Sequence, residues 1–383
     1  MLQKNIYEHA KITEYFKKFT KDTTSITKNP GGPSQQDFDF EGQSELYRMY
    51  RPRYPVTLLQ HLAFTLESNG FPSEKRDLAV DIACGSGQVT CSLARSWKDA
   101  YTSKVTKEQY GLNFKKVIGI DESTKQLEEA TQMDNIEYRC ENAYNMPFQE
   151  NSVQLVTIAQ GLHWFDHNKL MQQIHRILVK NGICAVLGYS TPVFLRYDKY
   201  FHPAFKTYYE ETLGSIHPPS DKRCYWNIDR RLLDHQYQQL SFDPPFDKKK
   251  MDRGMFYEHV HMNEHQLFGY FLTWSGYRQY MKKHNIAIGD KEKDPLNSLR
   301  SAFKKELAAR SDTTMLVTIP FFLITFPKFK FYTGIINKNK KQKINKNFSS
   351  SKNCNVRSQF VYSVGRQKKF NAYHNKKKVK LLN

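Results

Sequence analysis

The stretch Leu78-Ala-Val-Asp81-Ile-Ala83-Cys-Gly85-Ser-Gly87-Gln88 joins an apolar segment to a loop of small residues. The apolar part predicts a buried strand, and a helix with one apolar face follows from about Gln88. Small residues let such a loop turn tightly and approach a ligand, and free N–H groups at a helix N-terminus can bind an anionic group. The stretch therefore predicts a cofactor-binding loop.

The acidic residue before the loop distinguishes this loop from that of a nicotinamide-binding fold. That fold uses G-x-G-x-x-G without a leading acid, whereas the pattern here is D-x-A-C-G-x-G. A second predicted strand, Val117 to Asp121, also ends in an acid. Asp121 could merely cap a helix. With two acids at strand ends, the cofactor interpretation is favoured over capping.

Predicted strands and helices alternate along the first half of the chain. The strands cover residues 78–83, 117–121, 153–159 and 183–189, while helices start near residues 88 and 123 and cover 170–178. Residues 98–114 are polar and indicate an insertion. This alternation predicts an α/β fold, a doubly wound and mostly parallel sheet with helices on both faces.

Composition divides the chain into three predicted parts: a flexible N-terminal segment, 1–37, a folded domain, 38–327, and a basic, disordered tail, 328–383. Within the domain, residues 191–312 are rich in aromatics, Pro and His and are expected to form a lid that shapes the substrate site. Residues 316–324 are predicted to form a returning strand. Pro320 should place that strand near a sheet edge or a bulge.

The positive charge is concentrated in the tail. The formal net charge is +20, and 16 Lys and Arg lie between Lys328 and Lys380, which leaves about +4 for the first 327 residues. Such a tail could bind RNA or membrane phosphates. A Lys/Asn-rich extension beyond a complete domain is the expectation preferred here, so a nucleic-acid partner is not favoured.

Cysteine spacing and hydropathy exclude several classes of protein. The six cysteines form no C-x-x-C pair, the N-terminal residues contain no apolar stretch, and no run approaches the ~18 apolar residues of a membrane span. A cytoplasmic protein with free thiols and no membrane partner is expected. His259, His261 and His265 lack a further Cys or His to complete a tetrahedral set, so no metal is expected.

From about Tyr47 to Thr325 the chain resembles the class I S-adenosylmethionine-dependent methyltransferases. It is most similar to the trans-aconitate and farnesoic-acid methyltransferase-like branch of the type 11 family. The resemblance implies a Rossmann-like, seven-stranded sheet with a helical lid, and S-adenosylmethionine as cofactor. It implies that the methionine part of the cofactor is held by the loop residues Asp81, Ala83, Gly85 and Gly87. Ala83 stands where the family has its first glycine.

Four further segments carry the resemblance and its implied roles. Asp121 would accept hydrogen bonds from both ribose hydroxyls, because a carboxylate has two oxygens for a cis diol. Glu141 to Phe148 matches the loop after the third strand, which implies that the Asn142 side chain and the Ala143 backbone face adenine. Ala159 to Phe165, which includes Gln160, matches the segment near the methyl donor. Tyr47 to Pro55 and Thr273 to Tyr277 match segments that close over the site.

The expected activity is methyl transfer from S-adenosylmethionine to a small organic acceptor, with a carboxylate as the candidate group. A carboxylate needs no general base at pH 7, and Arg51 could orient it through two parallel bonds. A hydroxyl or carbon acceptor would need a base near His163, which is also well explained as a core histidine.

Two alternatives stay open at this point. One is a nucleic-acid or protein methyltransferase that uses the tail, although Gln160-Gly161-Leu162-His163 stands where such an enzyme has N-P-P-[FY]. The other is a non-catalytic cofactor-binding module. Neither the acceptor nor the oligomeric state follows from these patterns.

Overall fold

The computed structural model describes residues 49–95, 111–194, 202–242 and 245–329. The predicted N-terminal segment 1–37, most of the polar insertion and the tail from residue 330 lie outside these residues.

The described residues form one mixed sheet, which confirms the predicted α/β fold. Its strands run in the order β3-β2-β1-β4-β5-β8, and a short β6 extends the β5 side of β8. Strands β1 to β5 are parallel to their neighbours, whereas β8 is antiparallel to β5. The strands are β1 Leu78–Ile82, β2 Lys116–Asp121, β3 Ile136–Cys140, β4 Val153–Ala159, β5 Leu178–Tyr189, β6 Val193–Phe194, β7 Asp252–Met262 and β8 Met315–Pro327.

Helices cover both faces of the sheet, as predicted for a doubly wound fold. Along β5, Ile183, Ala185 and Leu187 belong to one core and Cys184 and Val186 to the other, because successive side chains point to opposite faces. The helices are α1 Val56–Ser68, α2 Gln88–Ala94, α3 Thr124–Glu128, α4 His167–Ile177, α5 Pro203–Lys206, α6 Arg230–Asp234, α7 Glu264–Leu272, α8 Ser275–His284 and α9 Leu296–Arg310. None of the described helices is both long enough and apolar enough to cross a bilayer.

Short polar signals set where the helices begin. The Ser123 hydroxyl accepts a hydrogen bond from the Gln126 N–H, so α3 starts where the sequence predicted. The Asp166 carboxylate accepts one from the Lys169 N–H at the start of α4. Helix α2 starts at Gln88, directly after the Gly-rich loop. The residues around the predicted cofactor site are therefore held by local capping as well as by the sheet.

The predicted lid, residues 191–312, contains more than a lid. Helices α5 to α9 lie in this segment, but so does β7, which pairs with β8 over all 11 of its residues. Its sequence, DRGMFYEHVHM, mixes charged and apolar residues because much of the strand is exposed. The prediction of one continuous insertion is corrected here: two helical parts flank a strand of the sheet.

Pro320 lies in an internal strand, so the expected sheet edge is wrong, but the alternative of a bulge fits: three residues between Tyr189 and Val193 oppose two between Thr318 and Phe321. β8 pairs with β7 on one side and with β5 and then β6 on the other. The N–H and C=O of one strand residue point to the same side, and the Pro320 carbonyl accepts a hydrogen bond from the Ser190 N–H. The missing N–H of Pro320 therefore falls in the gap between Tyr189 and Val193, where β5 ends and β6 begins.

Lys328 belongs to the folded domain rather than to the tail. Its N–H donates to the Gly182 carbonyl and its carbonyl accepts from the Asn181 N–H, both at 2.8 Å. Its Nζ donates to the Leu178 carbonyl at 2.7 Å and to Asn151 Oδ1 at 2.9 Å. The predicted domain boundary between residues 327 and 328 is therefore placed too early.

A pair of truncations tests this boundary. A chain ending at Pro327 loses the four hydrogen bonds of Lys328, whereas one ending at Phe329 keeps them. Water can replace some of these hydrogen bonds in the shorter chain. We therefore expect that chain to be less stable by about 2 kcal/mol and to unfold roughly 4 °C lower. Calorimetric unfolding of the two chains side by side measures this. Equal melting temperatures would show that Lys328 adds nothing to the fold.

Candidate functional site

The carboxyl ends of β1, β2, β4 and β5 open into one cavity of about 210 Å³. It lies where the strand order reverses between β1 and β4, the position at which open α/β sheets bind ligands. Seven of the predicted site residues line it: Arg51, Asp81, Ala83, Gly85, Asp121, Gln160 and His163. The structure thus brings together most of the site that the sequence predicted.

The Gly-rich loop has left-handed backbone at alternate positions. The φ angle is 54° at Ala83, 53° at Gly85 and 82° at Gly87, and Gln160 on the facing loop has φ 54°. Glycine adopts this conformation without strain, whereas alanine does not. Ala83 therefore carries strain at the position where related loops have glycine.

Gly161 faces Ala83 across the cavity floor. A Cβ at Gly161 would lie 2.9 Å from the Ala83 Cβ, closer than two such atoms approach. The two loops can touch only because one of them has no side chain. Gly161 was not among the predicted site residues, although it lines the cavity.

Asp121 fastens the Gly-rich loop to the end of β2. Its Oδ2 accepts a hydrogen bond from the Gly85 N–H and its Oδ1 accepts one from the Ser123 N–H, both at 2.9 Å. Burial raises the pKa of this carboxyl. A carboxylate can accept about four hydrogen bonds, so two backbone donors leave room for a diol.

Asp81 is buried beneath the loop and holds it from below. Its oxygens accept hydrogen bonds from the Thr90 hydroxyl on α2 at 2.7 Å and the Thr157 hydroxyl on β4 at 2.6 Å. Burial raises its pKa to about 6, so it is mostly ionised at pH 7. This carboxylate ties together the three elements that surround the loop.

Three predicted cofactor residues do not line the cavity. A Cβ at Gly87 would overlap the Tyr138 hydroxyl at 2.0 Å, so this glycine allows packing at the start of α2. Ala143 is buried, and Asn142 is exposed with its Oδ1 accepting a hydrogen bond from the Tyr144 N–H at 2.8 Å. Their predicted contacts with adenine therefore remain expectations from the resemblance.

Gln160 bridges β4 and β5 at the cavity wall. Its N–H donates to the Leu187 carbonyl, and its Nε2 donates to the Tyr189 carbonyl, both at 3.0 Å. These bonds explain how the left-handed backbone at Gln160 is held. The residue contributes a fixed edge to the site.

His163 lines the cavity as a buried and hydrogen-bonded histidine. Its Nδ1 lies 2.7 Å from the Tyr237 hydroxyl, and the two rings are stacked. Burial, with the positive charge of Arg230 nearby, lowers the pKa of His163 to about 3. The imidazole is therefore neutral at pH 7 and a weak base, which favours the core interpretation over catalysis.

Arg51 joins the N-terminal segment to the region predicted as the lid. Its Nη1 donates to the Tyr189 hydroxyl at 3.2 Å and its Nη2 donates to the Thr273 carbonyl at 2.8 Å. The guanidinium lies over the Tyr270 ring, 5.7 Å from its centre. A permanent cation thus lies in the cavity wall, with neutral oxygens and an aromatic face around it.

The cavity is also lined by residues that the sequence analysis missed. Trp226, Arg230 and Tyr270 line it together with Trp274, which lies in the predicted closing segment, and all four come from the aromatic-rich region after β6. High aromatic content predicted a wall of this kind. The aromatic content did not show which side chains of this region face the cavity, because that depends on how α6 and α7 pack on the sheet.

The three histidines weighed as metal ligands have separate partners. His259 Nδ1 lies 2.8 Å from the Thr318 hydroxyl, His261 Nδ1 lies 3.3 Å from the Thr314 hydroxyl, and His265 contacts the Tyr50 hydroxyl. Within the described residues, no three His, Cys, Asp or Glu side chains gather as metal ligands.

Comparisons with known proteins agree with this geometry. A family model described as a methyltransferase domain matches residues 80–186, which run from β1 through most of β5. A Dictyostelium discoideum protein that carries the name of a methyltransferase is 28% identical over 289 residues, 76% of this chain and 94% of that protein. Demethylmenaquinone methyltransferase of Oceanobacillus iheyensis is 28% identical over 181 residues, 46% of this chain and 71% of that protein.

A similar fold is found among solved structures. One from Anaeromyxobacter dehalogenans, named as a type II methyltransferase, aligns with a TM-score of 0.55 at 20% identity and covers 74% of this chain and 100% of its own. At this identity the likeness shows the fold alone. It supports the strand order.

The strain at Ala83 makes a counterintuitive substitution stabilising. Left-handed backbone costs alanine about 1–2 kcal/mol, and glycine loses part of that gain to chain entropy. We expect Ala83→Gly to raise the free energy of unfolding by about 0.5–1 kcal/mol, measured by urea denaturation. Ala302→Gly, in the middle of α9, is the matched control and should destabilise by about 1 kcal/mol. If Ala83→Gly destabilises the protein as Ala302→Gly does, the Ala83 methyl group stabilises the loop by more than its backbone strain costs.

Burial of neutral His163 gives the fold a pH dependence. Its pKa is about 3 when folded and 6.5 when unfolded, so between these values the unfolded chain takes up the proton. Stability from this residue is present above pH 6.5 and falls as pH drops, by about 2 kcal/mol at pH 5. The raised pKa of Asp81 changes stability in the opposite direction over the same range, so the measurement is a difference between chains. By urea denaturation at pH 7 and pH 5, the parent protein and Tyr237→Phe should lose about 2 kcal/mol relative to His163→Gln. Equal pH dependence in the parent and His163→Gln would show that His163 is not the origin.

Proposed function

Since this chain is a class I S-adenosylmethionine-dependent methyltransferase, we propose that its acceptor is a small organic acid that Arg51 orients by its carboxylate. The observation that carries the proposal is the position of Arg51 in the same cavity as the Gly-rich loop. The trans-aconitate and farnesoic-acid branch fits this acceptor class. That branch remains part of the proposal.

The Gly-rich half of the cavity suits the cofactor. The exposed backbone of Ala83 and Gly85 would approach its methionine part, and the remaining lone pairs of Asp121 would accept the ribose hydroxyls. Asp81 acts indirectly, because its oxygens already hold Thr90 and Thr157. Gln160 would border the cofactor from the β4 side.

The other half of the cavity suits a small acceptor with an apolar body. Tyr189, Tyr270 and Trp274 form aromatic walls near Arg51. Arg can hold a carboxylate through two parallel hydrogen bonds, with a fixed orientation that Lys does not give. The helices α7 and α8 meet at Thr273 and Trp274, so they would cover an acceptor bound there.

The chemistry needs little beyond alignment. S-adenosylmethionine supplies a methyl group whose bond to the sulfonium sulfur breaks as a carboxylate oxygen bonds to the carbon, giving a methyl ester and S-adenosylhomocysteine. A carboxylate is ionised at pH 7, so no proton has to be removed. The weak basicity of His163 favours such an acceptor over a hydroxyl or a ring carbon, which would need a base. The protein has to align the reactants and exclude water.

A screen with cofactor carrying a labelled methyl group tests the proposal. Small aromatic and aliphatic acids should accept the label, and the products should be methyl esters by mass spectrometry. Demethylmenaquinone, the acceptor in the name of one relative, serves as the carbon-acceptor comparison. Transfer only to the quinone, or only to RNA or protein, would overturn the proposal.

Two arginine variants locate the anchor. Arg51→Ala should lower kcat/KM for an accepted acid by about 10²-fold or more, because a charge-assisted bidentate contact is lost. Its affinity for S-adenosylhomocysteine, measured by calorimetry, should change much less. Arg53→Ala is the control, since Arg53 is exposed and is not among the cavity-lining residues. Equal methylation by the parent and Arg51→Ala would exclude Arg51 as the anchor.

A further inference from the structure

We infer that Arg230 and Trp226 form a second acceptor subsite, which binds an uncharged carbonyl oxygen on a planar part of the acid, away from the carboxylate held by Arg51. The inference rests on the proposed function and deepens it. It assigns a role to this part of the cavity wall and restricts the acceptor to acids with a planar carbonyl group.

Arg230 is held rigidly in the cavity wall. Its Nε donates to the Tyr209 hydroxyl at 3.0 Å and its Nη2 donates to Asp234 Oδ1 at 2.8 Å. The guanidinium lies over the Trp226 ring, 5.0 Å from its centre. Among the described residues, Nη1 makes no hydrogen bond, so this nitrogen is the part of Arg230 that a ligand can use.

The charge of Arg230 is already balanced. Its ion pair with Asp234 is mostly buried, with side-chain exposures of 13% and 18%, and the Tyr209 hydroxyl also donates to that carboxylate. An additional anion there would leave the group of charges negative in a poorly solvated place. A neutral oxygen can accept a hydrogen bond from Nη1 without this cost.

Trp226 supplies the independent observation. Its side chain is 6% exposed and lines the cavity, yet its Nε1–H has no hydrogen-bond partner among the described residues. A buried donor without a partner is destabilising, and native proteins rarely leave one unused. The nitrogen itself is shielded from solvent, so an acceptor oxygen in the cavity would satisfy it through a small shift of the indole ring.

An aromatic wall connects the two arginines. The Tyr270 ring lies under Arg51, its centre is 5.4 Å from that of Trp274, and Trp274 is 5.6 Å from Trp226. A planar acid can lie along this wall with its carboxylate toward Arg51 and its carbonyl toward Arg230. Flat conjugated groups gain most from such contacts.

Three benzoates test the subsite on the protein saturated with S-adenosylhomocysteine. Para-acetylbenzoate carries the carbonyl, para-isopropenylbenzoate has nearly the same shape without the oxygen, and terephthalate has a second charge. Calorimetry should show that the acetyl compound binds about tenfold tighter than the isopropenyl compound, as one buried hydrogen bond allows. Terephthalate should bind no tighter than the acetyl compound.

Variants assign the preference to residues. Trp226→Phe keeps an aromatic ring without the N–H, and Arg230→Lys keeps the charge for Asp234 without the planar fork. Each should reduce the preference for the acetyl compound to about threefold or less. Arg231→Lys is the control, because Arg231 is paired with Asp229 and is not among the cavity-lining residues. In proton NMR spectra, the Trp226 indole N–H signal of the parent is identified by its absence from the Trp226→Phe spectrum. This signal should shift when the parent binds the acetyl compound.

Several outcomes would overturn the subsite: equal affinities for the first two benzoates, tighter binding of terephthalate, a preference that survives in both variants, or no binding of any benzoate. The underlying function has its own readout. If Arg51→Ala binds the benzoates as well as the parent does, the Arg51 anchor fails. If that variant loses affinity while the parent shows no carbonyl preference, only the subsite fails.

Discussion

The buried carboxylate of Asp81 is the contact on which the Gly-rich half of the cavity depends. Two threonine hydroxyls, one from α2 and one from β4, donate to it, and it directly precedes the strained loop. An ionised group at this depth is stable only with such partners, so its presence fixes the distances among three elements. Asp121 repeats the arrangement one strand away by holding Gly85. The loop is thus shaped by two acids before any ligand binds.

The two halves of the cavity are built by different means. The Gly-rich half consists of strand ends and the loops that follow them directly, so its geometry follows from the sheet. The other half consists of Arg51, from before the first strand, of Tyr189 at the end of β5, and of side chains between Trp226 and Trp274, from after the fifth strand. If the proposed acceptor binds in this half, its site is assembled from distant segments and can change its specificity without disturbing the Gly-rich loop.

What the sequence predicted correctly depends on short-range patterns. The loop from Asp81 to Gly87, the acid at Asp121 and the helix starts are each set by a few neighbouring residues, so they could be found from spacing alone. Most of β7 was not predicted, because a strand that is only partly buried does not need a continuous apolar pattern. Pro320 was misplaced because its tolerance depends on a gap between two other strands. Arg230 could not be distinguished from Arg231, because only the packed structure turns one toward the cavity and the other toward Asp229.

The contact between Ala83 and Gly161 restricts how this site can change over generations. The space between the two loops holds one methyl group, and here residue 83 has it. Gly161 has φ −118°, a conformation open to any residue, so sterics rather than backbone strain keep it glycine. A lineage can place a side chain at 161 only after residue 83 has lost its own. The order of the two substitutions is therefore fixed, and the reverse order passes through a chain whose loops cannot close.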